Sequence, residues 1–190
     1  MSREELTKLV STITPLDERE GTDQRQVIGW LAGDEPIYRI QKPDVPPMHL
    51  VSYFAIVDPK TNKMLLQDHL LAKLWVPAGG HVDPNEDPAE TAQRECEEEL
   101  GFVAPFLGGQ VPHFITVTTT NGQGQHTDVS LWYLLQADEN TPLTIEDNKF
   151  NEVRWWKIDD ILAGPSSLFD PELHRFITKI KPLLNAWVLI

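Results

Sequence analysis

The stretch RECEEELG, Arg94–Gly101, sets four glutamates within five residues, at Glu95, Glu97, Glu98 and Glu99. Like charges at that density repel one another in a helix or a strand, so a fold that keeps them must give them solvent, a counter-ion or both. Asp87 suits an N-cap, Pro88 the first helical position and Gly101 a C-terminal stop, which predicts a helix over Pro88–Leu100. On a wheel of ~100° per residue, Ala89, Ala92, Cys96 and Leu100 form one apolar stripe. Glu95, Glu98 and Glu99 gather on one flank of that stripe, while Glu90 and Glu97 fall on the other. Three carboxylates at the border of a buried face are costly unless a cation neutralises them, and all-oxygen ligation suits Mg²⁺ or Mn²⁺. The plainer reading of such a run is a solvated acidic face. A calcium loop in DPNEDPAE fails, because Pro88 stands at its glycine position and Arg94 at its twelfth.

The rest of the chain mixes helical and strand periods. Leu6, Leu9, Val10 and Ile13 are spaced as on a helix, and PLDEREGTDQRQVIGWLAG reads as a second one closed by Gly33. KPDVPP, Lys42–Pro47, breaks regular structure. This divides the chain into a helical extension over 1–47 and a main domain over 48–190. In the main domain LVSYFAIVD and KMLLQDH make a hairpin across PKTN, and LWVPAGGHV is a short strand running into glycines. HFITVTTT and DVSLWYLLQ are strands joined by NGQGQH, EVRWWKI is a further strand, and DPELHRFITKIKPLL is a terminal helix. Helices and strands so interleaved indicate a layered α/β domain.

Seven positions of GGHVDPNEDPAETAQRECEEELGF carry a resemblance. Gly80, Glu86, Arg94, Glu95, Glu98, Glu99 and Gly101 stand at the spacing of the Nudix box, and Phe102 fills its last apolar position. Cys96 stands where the family has an aliphatic residue, and it is small and apolar enough to bury. The entry strand WVPAGG is also similar to the family's. The resemblance implies a Nudix (MutT-like) fold, with a mixed sheet sandwiched between helices. It implies Glu95, Glu98 and Glu99 as ligands of Mg²⁺ or Mn²⁺, joined by the Gly80 carbonyl. Arg94 becomes the residue that orients glutamates, Glu86 among them; on the wheel it lies away from the ligand flank, within reach of Glu90. The implied reaction is metal-dependent hydrolysis of a nucleoside diphosphate linked to a group X, by attack of water at phosphorus. Glu98 or Glu99 stands closest to that step. A base from outside the box is the alternative, with Glu146, Asp147 and Glu152 as downstream candidates.

Weaker candidates for substrate contacts are His81, after the loop glycines, and His126 and Asp128, which share a strand face with Ser130 by alternation. Each reads equally well as ordinary loop or surface. VTTT, Val117–Thr120, holds neither the proline of ADP-ribose enzymes nor the tyrosine of dinucleoside polyphosphate enzymes. No coenzyme A pattern precedes the box, so a nucleoside triphosphate or related nucleotide is favoured. Two rival readings differ in class. A nucleotide sensor on the same fold would lose box glutamates, which are all present. An isoprenoid-diphosphate isomerase needs a catalytic cysteine outside the box, and the chain has only Cys96.

A net charge of −13 argues against nucleic-acid partners, mRNA caps included, and against anionic membranes. The partner implied is a small nucleotide diphosphate derivative. One cysteine and an N-terminus without a long apolar run point to a cytoplasmic setting. The apolar end NAWVLI either packs on the body or meets a second copy in a homodimer.

Overall fold

The computed structural model describes residues 1–41, 45–120, 125–145 and 150–187. Along it run α1 (Arg3–Ser11), α2 (Glu18–Leu31), β1 (Met48–Asp58), β2 (Lys63–His69), β3 (Leu74–Val76), β4 (Ala78–His81) and α3 (Pro88–Leu100). Then come β5 (Phe114–Thr119), β6 (Thr127–Gln136), β7 (Phe150–Lys157), α4 (Ile158–Ala163) and α5 (Leu173–Trp187). The strands form one mixed sheet ordered β3-β2-β1-β6-β5, with β4 paired to β1 and β7 to β2. Two compact units divide the chain: Met1–Tyr53, Gly79–Ala92 and Val111–Tyr133 in the first, Phe54–Ala78, Gln93–Gln110 and Leu134–Ile190 in the second.

In the first unit the N-terminal helices start on side-chain caps. Ser2 and Glu5 form a capping box on α1, and the Asp17 carboxylate accepts from the Glu20 N–H at the start of α2. Glu20 is fully buried, and its two oxygens accept from the backbone N–H groups of Leu16, at 2.6 Å, and Ile115, at 3.3 Å. One carboxylate therefore fastens the entry to α2 to strand β5. β5 and β6 pair antiparallel from Phe114↔Trp132 to Thr119↔Thr127. Thr127 N–H at the start of β6 donates to the carbonyl of Pro47, just before β1, and Val82 N–H, just after β4, donates to that of Leu50 in β1. Glu20→Ala is expected to cost about 3 kcal/mol, because it strands buried backbone donors. A urea unfolding midpoint would measure it, and a change within about 0.5 kcal/mol would contradict the assignment.

In the second unit β2 is the hub. It pairs antiparallel with the later half of β1, with β3 and with β7, in registers that include Ile56↔Leu65, Asp68↔Trp75 and Leu66↔Arg154. The Arg154 guanidinium lies over the rings of Trp75 and Trp156, 4.6 and 4.1 Å from their centroids. Trp156 also meets Phe169 edge-on, so of the adjacent tryptophans Trp156 is the one built into an aromatic cluster. The strand read as EVRWWKI ends one residue early: Ile158 is buried as the first residue of α4, a six-residue helix that strand periodicity did not reveal. Among the described residues no helix is long and apolar enough to cross a membrane.

Candidate active site

Helix α3 forms where its end signals place it. The Asp87 side chain accepts from the Ala89 N–H at 2.9 Å, and its carbonyl from the Thr91 N–H at 2.9 Å. Gly101 closes the helix at φ 78°, and a Cβ there would come within 2.6 Å of Thr144. Ala89, Ala92, Cys96 and Leu100 are buried, as the wheel requires, and Glu90 and Glu97 are exposed.

The three flank glutamates differ sharply in exposure. The Glu99 residue is 5% exposed and the Glu95 side chain 13%, whereas the Glu98 side chain is 56% exposed. Buried Glu99 accepts from Gln67 Nε2 of β2 at 3.3 Å. Gln67 carries a sequence signal of its own, a lone amide closing the otherwise apolar run MLLQ, and it is buried with that run. Arg94 Nη1 donates to Glu95 at 2.7 Å and to Glu98 at 3.3 Å. The guanidinium thus turns toward the ligand flank, not away from it toward Glu90 as the wheel suggested, because a long side chain at i reaches both i+1 and i+4. This leaves Glu98 the most accessible carboxylate of the group. All-oxygen donors with two members largely removed from water fit a hard divalent cation.

Gly80 lies in β4, beside a position that only glycine can occupy: a Cβ on Gly79 would come within 2.3 Å of the Tyr53 ring and 2.8 Å of the Ser52 carbonyl oxygen. Glu86 accepts from the Thr91 hydroxyl at 2.6 Å and the Asp83 N–H at 3.2 Å, which fixes the loop leading into α3. Glu152 is half exposed on β7, 3.7 Å from Arg154. Glu146 and Asp147 lie outside the described residues.

Cys96 is fully buried and its thiol donates to the Phe102 carbonyl at 3.2 Å. An aliphatic residue could not make that bond. Burial pushes the thiol up to about 12, far from the thiolate that nucleophilic chemistry needs. Cys96→Ala is expected to lose about 1–2 kcal/mol of stability and to keep its kcat. Loss of activity in a variant of unchanged stability would reopen the isomerase reading.

The weaker candidates come together unexpectedly. His81, His126 and Asp128 of the first unit converge with a residue the sequence reading passed over, His49 of β1. His81 Nε2 lies 3.0 Å from His49 Nε2, while Asp128 Oδ1 lies 3.4 Å from His49 Nε2 and 3.3 Å from His126 Nε2. His49 is fully buried, and the others are half-buried. Burial above all, with the charge of Arg39 and the His49 ring adding, pulls His81 down to about 3, so its imidazole is neutral. Ser130, on the same strand face, is buried.

A family model described as NUDIX domain matches residues 48–177. The chain belongs to the Nudix family, hydrolases that act on phosphoric anhydride bonds. Nudix hydrolase 25 of Arabidopsis thaliana is 27% identical over 58% of this chain and 73% of its own length. A probable DHNTP pyrophosphohydrolase of Lactococcus lactis is 32% identical over 42% of this chain and 50% of its own. Among solved structures, a NUDIX family hydrolase from Clostridium perfringens superposes with a TM-score of 0.54 at 20% identity, over 73% of this chain and 97% of that one. The E. coli dihydroneopterin triphosphate pyrophosphohydrolase gives 0.55 at 13% identity, over 79% and 99%. At these identities the structural likeness bears on the fold.

Proposed function

We propose that this chain is a metal-dependent pyrophosphohydrolase for a nucleoside diphosphate linked to X, with a nucleoside triphosphate or a related nucleotide as the favoured substrate. The observation that carries the reading is the flank of α3, where Glu95, Glu98 and Glu99 stand together and Arg94 spans two of them. The name of one sequence relative, a probable DHNTP pyrophosphohydrolase, supports the substrate class.

Glu95, Glu98 and Glu99, with the Gly80 carbonyl, would hold Mg²⁺ or Mn²⁺. The bound cation supplies charge neutralisation of the diphosphate and a lowered pKa for a water. The remaining tasks fall to the chain. Arg94 holds Glu95 and Glu98 in one orientation before substrate arrives, which limits the reorganisation needed at reaction. Gln67 holds Glu99 at the buried edge of the flank. Glu98, the most exposed of the three, can take a proton from an attacking water. We further propose that residues 1–47 act as an extension of the catalytic domain, that the protein works in the cytoplasm, and that its partners are small nucleotides, with NAWVLI available to a homodimer.

A substrate panel tests this directly. Nucleoside triphosphates, oxidised deoxynucleotides, nucleotide sugars, ADP-ribose and dinucleoside polyphosphates would be offered with Mg²⁺ or Mn²⁺, with Glu98→Gln as the blank. Phosphate would be read before and after added pyrophosphatase or phosphatase. Release from triphosphates that vanishes in the variant supports the reading. Release confined to another pool changes the substrate class, and no release from any pool, with metal bound, points to a sensor.

A further inference from the structure

We propose that His49, His81, His126 and Asp128 form a second metal site, built for a transition metal of the Zn²⁺ type and chemically distinct from the carboxylate flank of α3. The claim is independent of the hydrolase reading. All four residues belong to the first unit, on the adjoining strands β4, β1 and β6 and the residue before β6. The backbone bonds Pro47–Thr127 and Leu50–Val82 bring these segments side by side.

His49 Nδ1 lies 2.8 Å from the Pro46 carbonyl oxygen. A carbonyl only accepts, so Nδ1 carries the hydrogen and Nε2 presents a bare lone pair. A backbone carbonyl on one ring nitrogen is also the support that metal-ligating histidines use on their far side. His126 repeats the pattern. Its Nδ1 and its carbonyl oxygen both lie 3.2 Å from the Thr120 hydroxyl, whose one hydrogen can serve only one of them. When the hydroxyl hydrogen goes to the carbonyl, Nδ1–H is the donor and Nε2 is left to present its lone pair. The bare His49 Nε2 and His126 Nε2 approach the same carboxylate oxygen, Asp128 Oδ1, which is itself buried and makes no hydrogen bond of acceptable geometry among the described residues.

Electron-rich atoms are thus packed against one another around the fully buried His49 and the buried Asp128 Oδ1. A hydrogen on His81 Nε2 would serve His49 and leave the His126–Asp128 pair facing lone pair to lone pair. Such a group is costly unless a cation sits among its members. Three of the approaches suit one directly, and the fourth ligand atom is within a side-chain adjustment of it. Four ligand atoms lie within 4.8 Å of one another, with approaches of 3.0, 3.3 and 3.4 Å. A tetrahedron with bonds of 2.0–2.1 Å has edges of about 3.3 Å. Three imidazoles and one carboxylate form a borderline set that favours Zn²⁺, Co²⁺ or Ni²⁺ over Mg²⁺, which takes oxygen ligands in octahedral geometry.

The test uses the full chain without a histidine tag, stripped with a chelator and titrated with Co²⁺ while millimolar Mg²⁺ occupies carboxylate sites. The expected result is one Co²⁺ per chain with the strong visible bands of four-coordinate cobalt, displaced by stoichiometric Zn²⁺. Asp128→Asn and His126→Gln, both at half-buried positions and checked for native circular dichroism, should lose the bands. Each should bind at least about 100-fold more weakly, since even a change in a ligand's supporting residue costs 10–100-fold. Glu98→Gln should bind Co²⁺ as the parent does. Absence of the bands in the folded parent would leave a neutral imidazole–carboxylate network and overturn the proposal. Bands that persist in both cluster variants, or that disappear in Glu98→Gln, would overturn it as well.

Discussion

Glu98→Gln protein is expected to fold as the parent does and to lose turnover by about 10²–10⁴-fold, the range ascribed to a positioned acid–base group. More than half of the Glu98 side chain is open to solvent, so the exchange leaves no cavity and removes no core contact. The amide keeps an oxygen for Arg94, which holds the carboxylate at 3.3 Å. What disappears is the negative charge and the proton acceptor. The neighbour makes a sharp control. Glu97 is equally acidic and also exposed, but it lies on the opposite flank of the apolar stripe, so Glu97→Gln should keep full turnover. Glu99→Gln should combine both kinds of effect, because that carboxylate is buried against Gln67: turnover falls and some stability goes with it. The experiment is steady-state kinetics on the best substrate of the panel, with denaturation midpoints alongside. If Glu97→Gln and Glu98→Gln lost activity equally, the flank would not be the site. If Glu98→Gln stayed within a few-fold of the parent, the base would have to come from elsewhere, with Glu152 and Glu146 next to be tested.

The asymmetry between Glu97 and Glu98 was readable from the sequence because it is a helical property. A helix turns by a constant angle, its ends are marked by Asp87, Pro88 and Gly101, and the side on which a residue falls follows from its number. The hairpin of β1 and β2 was readable for a similar local reason: alternation on either side of PKTN sets the register, and Asn62 adopts the positive φ, 54°, that such turns use. Arg94 was misjudged because a wheel treats side chains as radial spokes, while a guanidinium on a long stem reaches along the helix to Glu98. Gln67 and His49 were passed over for a deeper reason. Each gains its meaning from a residue on another strand or on α3, at sequence separations of 32. Residues 49, 81, 126 and 128 share no period; they meet because β4 and β6 both pair with β1, a fact of topology that no local pattern states. Short α4 escaped because six residues directly after a strand offer too little periodicity to separate the two.

Gly79→Ala is expected to be strongly destabilising, at about 3 kcal/mol or more, the upper part of the range for overpacked sites. A methyl group there would stand 2.3 Å from Tyr53 Cδ2 and 2.8 Å from the Ser52 carbonyl oxygen. The carbonyl belongs to the backbone of β1 and cannot swing aside. The ring has little freedom either, since it packs edge-on against Trp132 with centroids 4.7 Å apart. Relief therefore requires β4 to draw back from β1, and that displacement moves Gly80, whose carbonyl is the proposed cation ligand. Loss of stability and loss of turnover should then appear together, with kcat reduced even at temperatures where the variant is fully folded. Gly29→Ala supplies the opposite case. Gly29 sits in α2 with nothing within 4 Å of its would-be Cβ. Alanine there should stabilise by about 0.5–1 kcal/mol through helix propensity alone and leave kcat untouched. Urea unfolding of the two variants, read with kinetics at one temperature, separates the outcomes. A Gly79→Ala protein as stable and active as the parent would show that β4 is not seated against β1 as described, and the placement of Gly80 would fall with it.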